Sequence, residues 1–338
     1  MVRNSNDIQA IKQEINLISN LGIKSILVIK TNGIPIYKFF FSDDSLMKTD
    51  TILLGSFFSA INAFSNSFLR IISDIVFLSE DNQSTQEVLF FKYFNNLIYI
   101  ISVSADNKLL DISSISLREQ IEMILWQFSG EFYDIFISLN EKNKVLDLNN
   151  AFNDYEHYFI ELICKGCVDL GQNLPFIHNN RPKMKSIDPN ININQMSIKQ
   201  IVKSLGLESV FIMKGINVEI ILEKYFHDKD NKITGIDLSN YFMAIDSFAR
   251  NYILAKLLNF GFFFNRLYFD KFSIQKEEYI VLYVFNDVIY CYNSIKESKK
   301  IIQEIKETIR GKLLHNSKPL TPKNIYRIFD LRRTNSEK

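Results

Sequence analysis

The strongest constraint on how this chain can fold is an internal repeat at an offset of 184 residues (205 minus 21). Leu21 to Lys30 reads LGIKSILVIK and Leu205 to Lys214 reads LGLESVFIMK, with Leu, Gly, Ser and Lys recurring in place and the other apolar positions filled conservatively. At the same offset FSAINAF faces FMAIDSF, so that Phe58, Ala60, Ile61 and Phe64 fall on Phe242, Ala244, Ile245 and Phe248. Buried strands and amphipathic helices share a small vocabulary because both must pack. Two matches on one offset nevertheless predict two divergent copies of one domain in tandem. The length of 338 residues suits two cores of ordinary size, and 29 Phe and 15 Tyr supply the apolar surface to fill them.

The pattern within each copy is alike. An amphipathic helix, Ile8 to Asn20 or Ile198 to Leu205, leads into a strand. In the first copy the strand Ser25 to Lys30 meets Thr31-Asn32-Gly33, which predicts a hairpin with a type I′ turn, and returns as Ile34 to Phe41. In the second copy Gly215 comes earlier and Val218 to Leu222 returns. A long helix follows, capped by Asp50 with Leu54, Phe57, Phe58, Ile61, Phe64 and Phe68 as its apolar face. Its counterpart is expected to be capped by Asp237, with Leu238, Tyr241, Phe242, Ile245, Phe248 and Tyr252 facing inward. Three strands come next, around Ile75 to Leu78, Val88 to Tyr93 and Leu97 to Ser102, and around Gly261 to Asn265, Leu267 to Phe272 and Tyr279 to Tyr290. Helix closes each copy, from about Leu117 and from about Ser294. The expected fold is α+β: two domains, each a five-stranded antiparallel sheet flanked by helices. The first covers 1–149 and the second 197–314. Between them, 150–196 carries a helix and an Asn-rich linker with Pro175, Pro182 and Pro189; 315–338 is a basic C-terminal tail.

A formal net charge of +1 gives no global field toward nucleic acid or anionic lipid, and neither is expected as a partner. Three cysteines cannot build a disulfide framework. The N-terminus MVRNSNDIQAIKQE lacks the apolar stretch of a signal peptide, and Tyr279 to Tyr292, the longest apolar run, is broken by Asn286 and Asp287. A cytoplasmic protein without a transmembrane segment is the expectation.

The element order, with GIPIY after the first turn and the FxAIxxF helix, resembles the longin and roadblock superfamily, and within it the archaeal-type proteins related to longin-domain GTPase regulators of membrane trafficking. The resemblance spans about residues 8–138 and 197–314; the second copy departs from it where Gly-Ile-Asn replaces Asn-Gly-Ile-Pro. It implies a non-enzymatic protein-binding platform with no cofactor, whose partner is a small GTPase or another longin- or roadblock-type protein. The two copies could form an intramolecular pseudo-dimer, or the chain a homodimer. The resemblance brings no catalytic residue with it. A different reading is a small-molecule sensor of the PAS or GAF type, which would need an enclosed pocket.

Local motifs are few. Cys164-Lys-Gly-Cys167 has the spacing of two zinc thiolates or a redox couple, with His157 and His178 the nearest further ligands. The same cysteines equally suit the apolar face of a helix with Ile160 and Ile163. Asp228 to Gly235 imitates a calcium loop but places Lys232, Ile233 and Ser239 where a working loop needs an oxygen ligand, glycine and glutamate. In the tail, Ile325, Ile328, Phe329 and Arg332 fall at helical spacing and could dock in a partner groove or pack on their own domain.

Overall fold

The computed structural model describes residues 5–20, 22–67, 72–79, 86–104, 117–142, 157–165, 206–214, 219–226, 234–262, 265–274, 276–286 and eight residues between 303 and 314. Its elements are α1 (Ser5–Asn20), β1 (Ile23–Lys30), β2 (Pro35–Phe40), a 3₁₀ turn (Leu46–Lys48), α2 (Thr51–Ser67), β3 (Ile72–Ser79), β4 (Gln86–Phe94), β5 (Leu97–Ser104) and α3 (Leu117–Lys142). A helix α4 covers 157–165. Then come β6 (Leu207–Lys214), β7 (Glu219–Tyr225), α5 (Gly235–Phe248), a π turn (Ala249–Ile253), β8 (Ala255–Phe262), β9 (Asn265–Ile274) and β10 (Glu277–Asn286). The chain is α+β and its sheet antiparallel wherever a strand register is given.

Two compact units are formed, one from Met1–Pro182 with Ile245–Leu258 and one from Lys183–Ala244 with Asn259–Lys338. Strand β8 has residues in both. The expected pair of separate five-stranded sheets is therefore corrected: the hydrogen-bonded order β2-β1-β5-β4-β3-β8-β9-β10-β6-β7 is one ten-stranded sheet.

In the first unit α2 and α3 cover opposite faces of the strands. Phe91 of β4 meets Phe58 of α2 edge-on at 5.4 Å, while Tyr99, paired with the next residue Lys92, meets Phe128 and Phe136 of α3, each at 6.1 Å. Neighbouring strand residues point to opposite faces. With both faces covered, Leu97 to Val103 are all buried, and this is why β5 reads as a continuous apolar run rather than an alternation. Phe159 of α4 joins the same cluster, 4.3 Å from Phe132 and 4.9 Å from Tyr37.

The first hairpin differs from its expected type. Gly33 has φ 90°, Asn32 is not among the positive-φ residues, the Gly33 N–H donates to Lys30 O (2.8 Å) and the Lys30 N–H to Ile34 O (2.8 Å). This is a three-residue loop closed by a left-handed glycine, not a two-residue type I′ turn, which needs positive φ at both central residues. The turn lies against α2: a Cβ on Gly55 would stand 2.1 Å from Gly33 O, and Ser59 Oγ donates to Thr31 O at 2.7 Å. Asp50 caps α2 as expected, accepting from the N–H groups of Ile52 (2.8 Å) and Leu53 (3.3 Å).

In the second unit α5 packs Phe242 on Phe269 at 4.0 Å and Tyr241 on Phe260 at 5.4 Å. Its cap is Thr234, not Asp237: the Thr234 hydroxyl oxygen accepts from Asp237 N–H at 3.2 Å, and the Leu238 N–H donates to Thr234 O at 3.1 Å. Asp237 stands in the first turn, where a carboxylate complements the helix dipole. The third strand of this copy begins at Ala255 rather than Gly261, and Tyr252 belongs to the π turn rather than to the inward face of the helix, being half exposed. Leu254 ends that turn at φ 53°, its N–H donating to Ala249 O.

The repeat extends to details that sequence does not display. Taken separately, the units order their strands β2-β1-β5-β4-β3 and β7-β6-β10-β9-β8, the same order under the repeat. The β1–β2 register slips between Val28 and Ile29, and the β6–β7 register between Ile212 and Met213. The β1–β5 register skips Lys24, and the β6–β10 register skips Glu208. Both pairs of bulges are 184 residues apart (212 minus 28, 208 minus 24). A bulge turns the extra residue out of the ladder and bends its strand. In each unit its carbonyl is used alike: Lys24 O accepts from Phe41 N–H at 2.8 Å, and Glu208 O from Phe226 N–H at 2.9 Å.

The helix at Ile198 to Leu205, the proline-spaced linker, Asp228 and the tail residues Ile325, Ile328, Phe329 and Arg332 lie outside the described residues.

Candidate functional site

The bulge at Lys24 builds a buried polar cluster in the first unit. Displaced from the ladder, Lys24 is 5% exposed and sets its ammonium 3.0 Å from Asp44 Oδ2 and 3.9 Å from Glu87 Oε2. Glu87, from β4, is fully buried. Its Oε2 accepts from the Leu46 N–H at 2.9 Å; its Oε1 accepts from the Ser102 hydroxyl and, at 3.2 Å, from the Ser45 hydroxyl. Ser25 Oγ stands 3.3 Å from Ser45 Oγ, which also accepts from the Met47 N–H at 3.2 Å. One carboxylate thus ties two strands to the segment that joins β2 to α2.

Burial pushes the Glu87 carboxyl above its ordinary value, against the pull of the Leu46 N–H, the Ser102 and Ser45 hydroxyls and the Lys24 charge. Asp44 goes the other way: partial burial raises it, but the Ser42 hydroxyl and the Lys24 ammonium together take it below the ordinary range. Isolated buried charges are expensive, so an interior lysine and glutamate persist only when answered by partners.

That clasp forms one wall of a cleft of about 500 Å³. Asp43, Asp44, Ser45, Lys48 and Thr49 line one side; Tyr252, Ile253 and Leu254 line the other. The Thr49 hydroxyl donates to Tyr252 O at 2.9 Å, fixing the second side to the first. All of these residues belong to the first unit. The cleft is open to solvent, as is a smaller hollow of about 250 Å³ in the second unit beside Lys271, Ser273 and Glu278.

The second unit does not repeat the clasp. Ladder positions equivalent to Lys24 and Glu87 hold Glu208, the bulged residue, and Asn265, which pairs with Asn286 as Glu87 pairs with Ser104. Val284 takes the place of Ser102, each opposite the residue that follows the bulge.

Residues singled out from sequence do not gather here. Cys164 lies on α4 with Phe159, Ile160 and Ile163 buried beside it, and Cys167 is outside the described residues. Burial, then the charges of Glu14 and Glu161, push the Cys164 thiol upward, away from the thiolate that metal binding or exchange requires. Among the described residues no group of three or more His, Cys, Asp or Glu could hold a metal ion. Ser239, a position in the calcium-like pattern, is buried in α5 and donates to Gly235 O. Sequence reasoning missed Lys24, Asp44 and Glu87. No sign of Glu87 was available, since it stands second in β4 after Gln86 and continues the polar stretch before it.

Among the described residues no helix is long and apolar enough to cross a membrane. No protein-family model matches the chain, and no curated protein matches it.

Proposed function

We propose that this chain is a protein-binding platform made of two longin-like units, which regulates or carries a small GTPase or pairs with a second longin- or roadblock-type protein. The observation that supports this reading most is the repetition. The order strand, strand, helix, three strands recurs in both units, with one strand order and the same two bulges. A scaffold kept twice while its polar residues diverge is suited to presenting two different surfaces, because function resides in what is grafted on a fold.

The test is nucleotide release from the small GTPases of the same source, followed by fluorescence with and without the full chain. Faster release makes the protein an exchange factor. Saturable binding with unchanged release makes it an adaptor. Failure to bind any of these GTPases, together with failure to bind any longin- or roadblock-type protein of that source, overturns the reading.

A further inference from the structure

Helix α3 carries more apolar surface than the sheet beneath it uses. Its inner face, Ile121, Ile124, Leu125, Phe128, Phe132 and Phe136, is buried. A second line of residues, Met123, Trp126, Gly130, Tyr133 and Ile137, runs along the helix at alternating three- and four-residue spacing. That spacing keeps side chains in one seam, and it is the spacing by which two helices interlock. The sheet engages Tyr133, whose ring meets Phe94 edge-on at 5.3 Å and whose hydroxyl donates to Asn96 Oδ1 at 3.3 Å. Met123 and Trp126 stand 42% and 64% exposed, and Trp126 is the single tryptophan of the chain. One turn on, a Cβ built on Gly130 meets no atom within 4 Å outside the backbone of its own helix. Glycine inside a helix costs stability relative to alanine, and among the described residues nothing takes up the space it leaves.

We propose that this seam docks a basic amphipathic helix of a protein partner, with Trp126 as the anchor and Gly130 as the point of closest approach. This gives the platform reading above a surface and a partner chemistry, and it rests on that reading. The charge of α3 selects the partner. Glu131 and Asp134 flank the seam; both are exposed, and neither is in an ion pair among the described residues. Between Arg118 and Lys142 the helix has no basic residue at all. A helix with apolar residues at the same spacing and lysine or arginine beside them sets its cations against these carboxylates, while acidic flanks are repelled. An exposed tryptophan supplies the large rigid surface that dominates interface energetics once it is covered. The distance between packed helices follows the side chains at their contact, so a glycine there lets the partner come close.

Trp126 reports on its own site, since the chain has no other tryptophan. The full chain is titrated with a synthetic tryptophan-free peptide that carries leucines at this spacing flanked by lysines, and the emission of Trp126 is followed. The same peptide with glutamates in place of the lysines is the control. The lysine peptide shifts the emission to the blue and saturates, with an affinity that falls as salt is raised; the glutamate peptide leaves the emission unchanged. Glu131→Lys with Asp134→Lys weakens the lysine peptide by roughly tenfold and lets the glutamate peptide bind. Gly130→Met weakens the lysine peptide several-fold while the thermal midpoint stays level or rises, because methionine is the better helix former and the space is open; this separates a filled slot from a lost fold. Absence of the blue shift, equal binding of the two peptides by the parent, unchanged affinity in both variants, or a blue shift with phosphatidylcholine vesicles in place of the peptide overturns the proposal. If GTPases bind and the lysine peptide does not, only this proposal fails; if the peptide binds in the expected pattern and no GTPase or longin-type partner does, only the partner class fails.

Discussion

Replacing Glu87 by Gln or by Leu separates the bonds of the clasp from its charge. Glutamine keeps the shape: its carbonyl can take the Leu46 N–H, and its amide group can donate to the Ser45 and Ser102 hydroxyl oxygens, which accept as well as donate. Lys24 loses a charge 3.9 Å away and keeps Asp44 at 3.0 Å. Glu87→Gln should therefore lie within about 1 kcal/mol of the parent, the scale of one ordinary hydrogen bond. Leucine strands the Leu46 N–H and leaves Lys24 with only the largely exposed Asp44 as partner, so Glu87→Leu should cost about 3–5 kcal/mol, as for a buried pair with one member removed. The pH dependence carries the sharper test. A carboxyl whose folded value is raised above 4.5 holds its proton more firmly in the folded chain than in the unfolded one. Its contribution to stability is thus largest at low pH and declines as pH rises through the raised value. Glutamine does not titrate, so the stability of Glu87→Gln relative to the parent should improve from pH 4 upward. Asp44, held low, loses its contribution as pH falls, but it does so in both proteins and drops out of the difference. Urea unfolding at a series of pH values measures this directly. A difference that is flat with pH, or that favours the parent as pH rises, would refute the assignment of burial as the dominant influence on Glu87.

Gly55→Ala should destabilise by about 1–3 kcal/mol despite the better helix propensity of alanine, since the added methyl meets a backbone carbonyl that cannot turn aside; thermal denaturation shows it. Asp50→Ala should cost about 1 kcal/mol through loss of the α2 cap, measured the same way. Lys24→Glu combined with Glu87→Asn, which installs the residues of the second unit, should be less damaging than the sum of the single changes by more than about 0.5 kcal/mol; additivity within that margin in a double-mutant cycle would show that the two residues are not coupled.

How far sequence reached depended on how local each feature is. The strand LGIKSILVIK and its echo were legible because both faces of the strand are buried and most of its positions stay apolar; β1 and β6 coincide residue for residue at the predicted offset. Asn32-Gly33 announced a turn but not its kind, since turn type follows from loop length, which the register decides. Thr234-Gly-Ile-Asp237 holds two residues able to cap a helix, and the choice between them falls on where the chain leaves the extended region. The end of the π turn that follows α5 was unreadable because Leu254, not Gly or Pro, takes the left-handed conformation there. The clasp was hidden for a different reason. Lys24 and Glu87 are far apart along the chain, and a strand lysine normally points to solvent; only the bulge, which has no composition of its own, turns it inward.

Duplication makes the molecule its own control. What both units keep is the strand order, two bulges, and a bulge carbonyl that accepts from the residue just after the second strand. What one unit keeps alone is not required by the strand order and the bulges, which the other unit forms without it. Glu208 and Asn265 occupy the positions of Lys24 and Glu87 in a unit that forms the same ladders. The buried ion pair of the first unit cannot then be ascribed to folding in general, and breaking even against a hydrophobic replacement is the usual lot of such pairs. Its remaining effect is to fix the segment carrying Asp44, Ser45 and Leu46, and that segment is the wall of the cleft. The lysine and the glutamate thus hold the segment between β2 and α2, a task separate from completing the sheet.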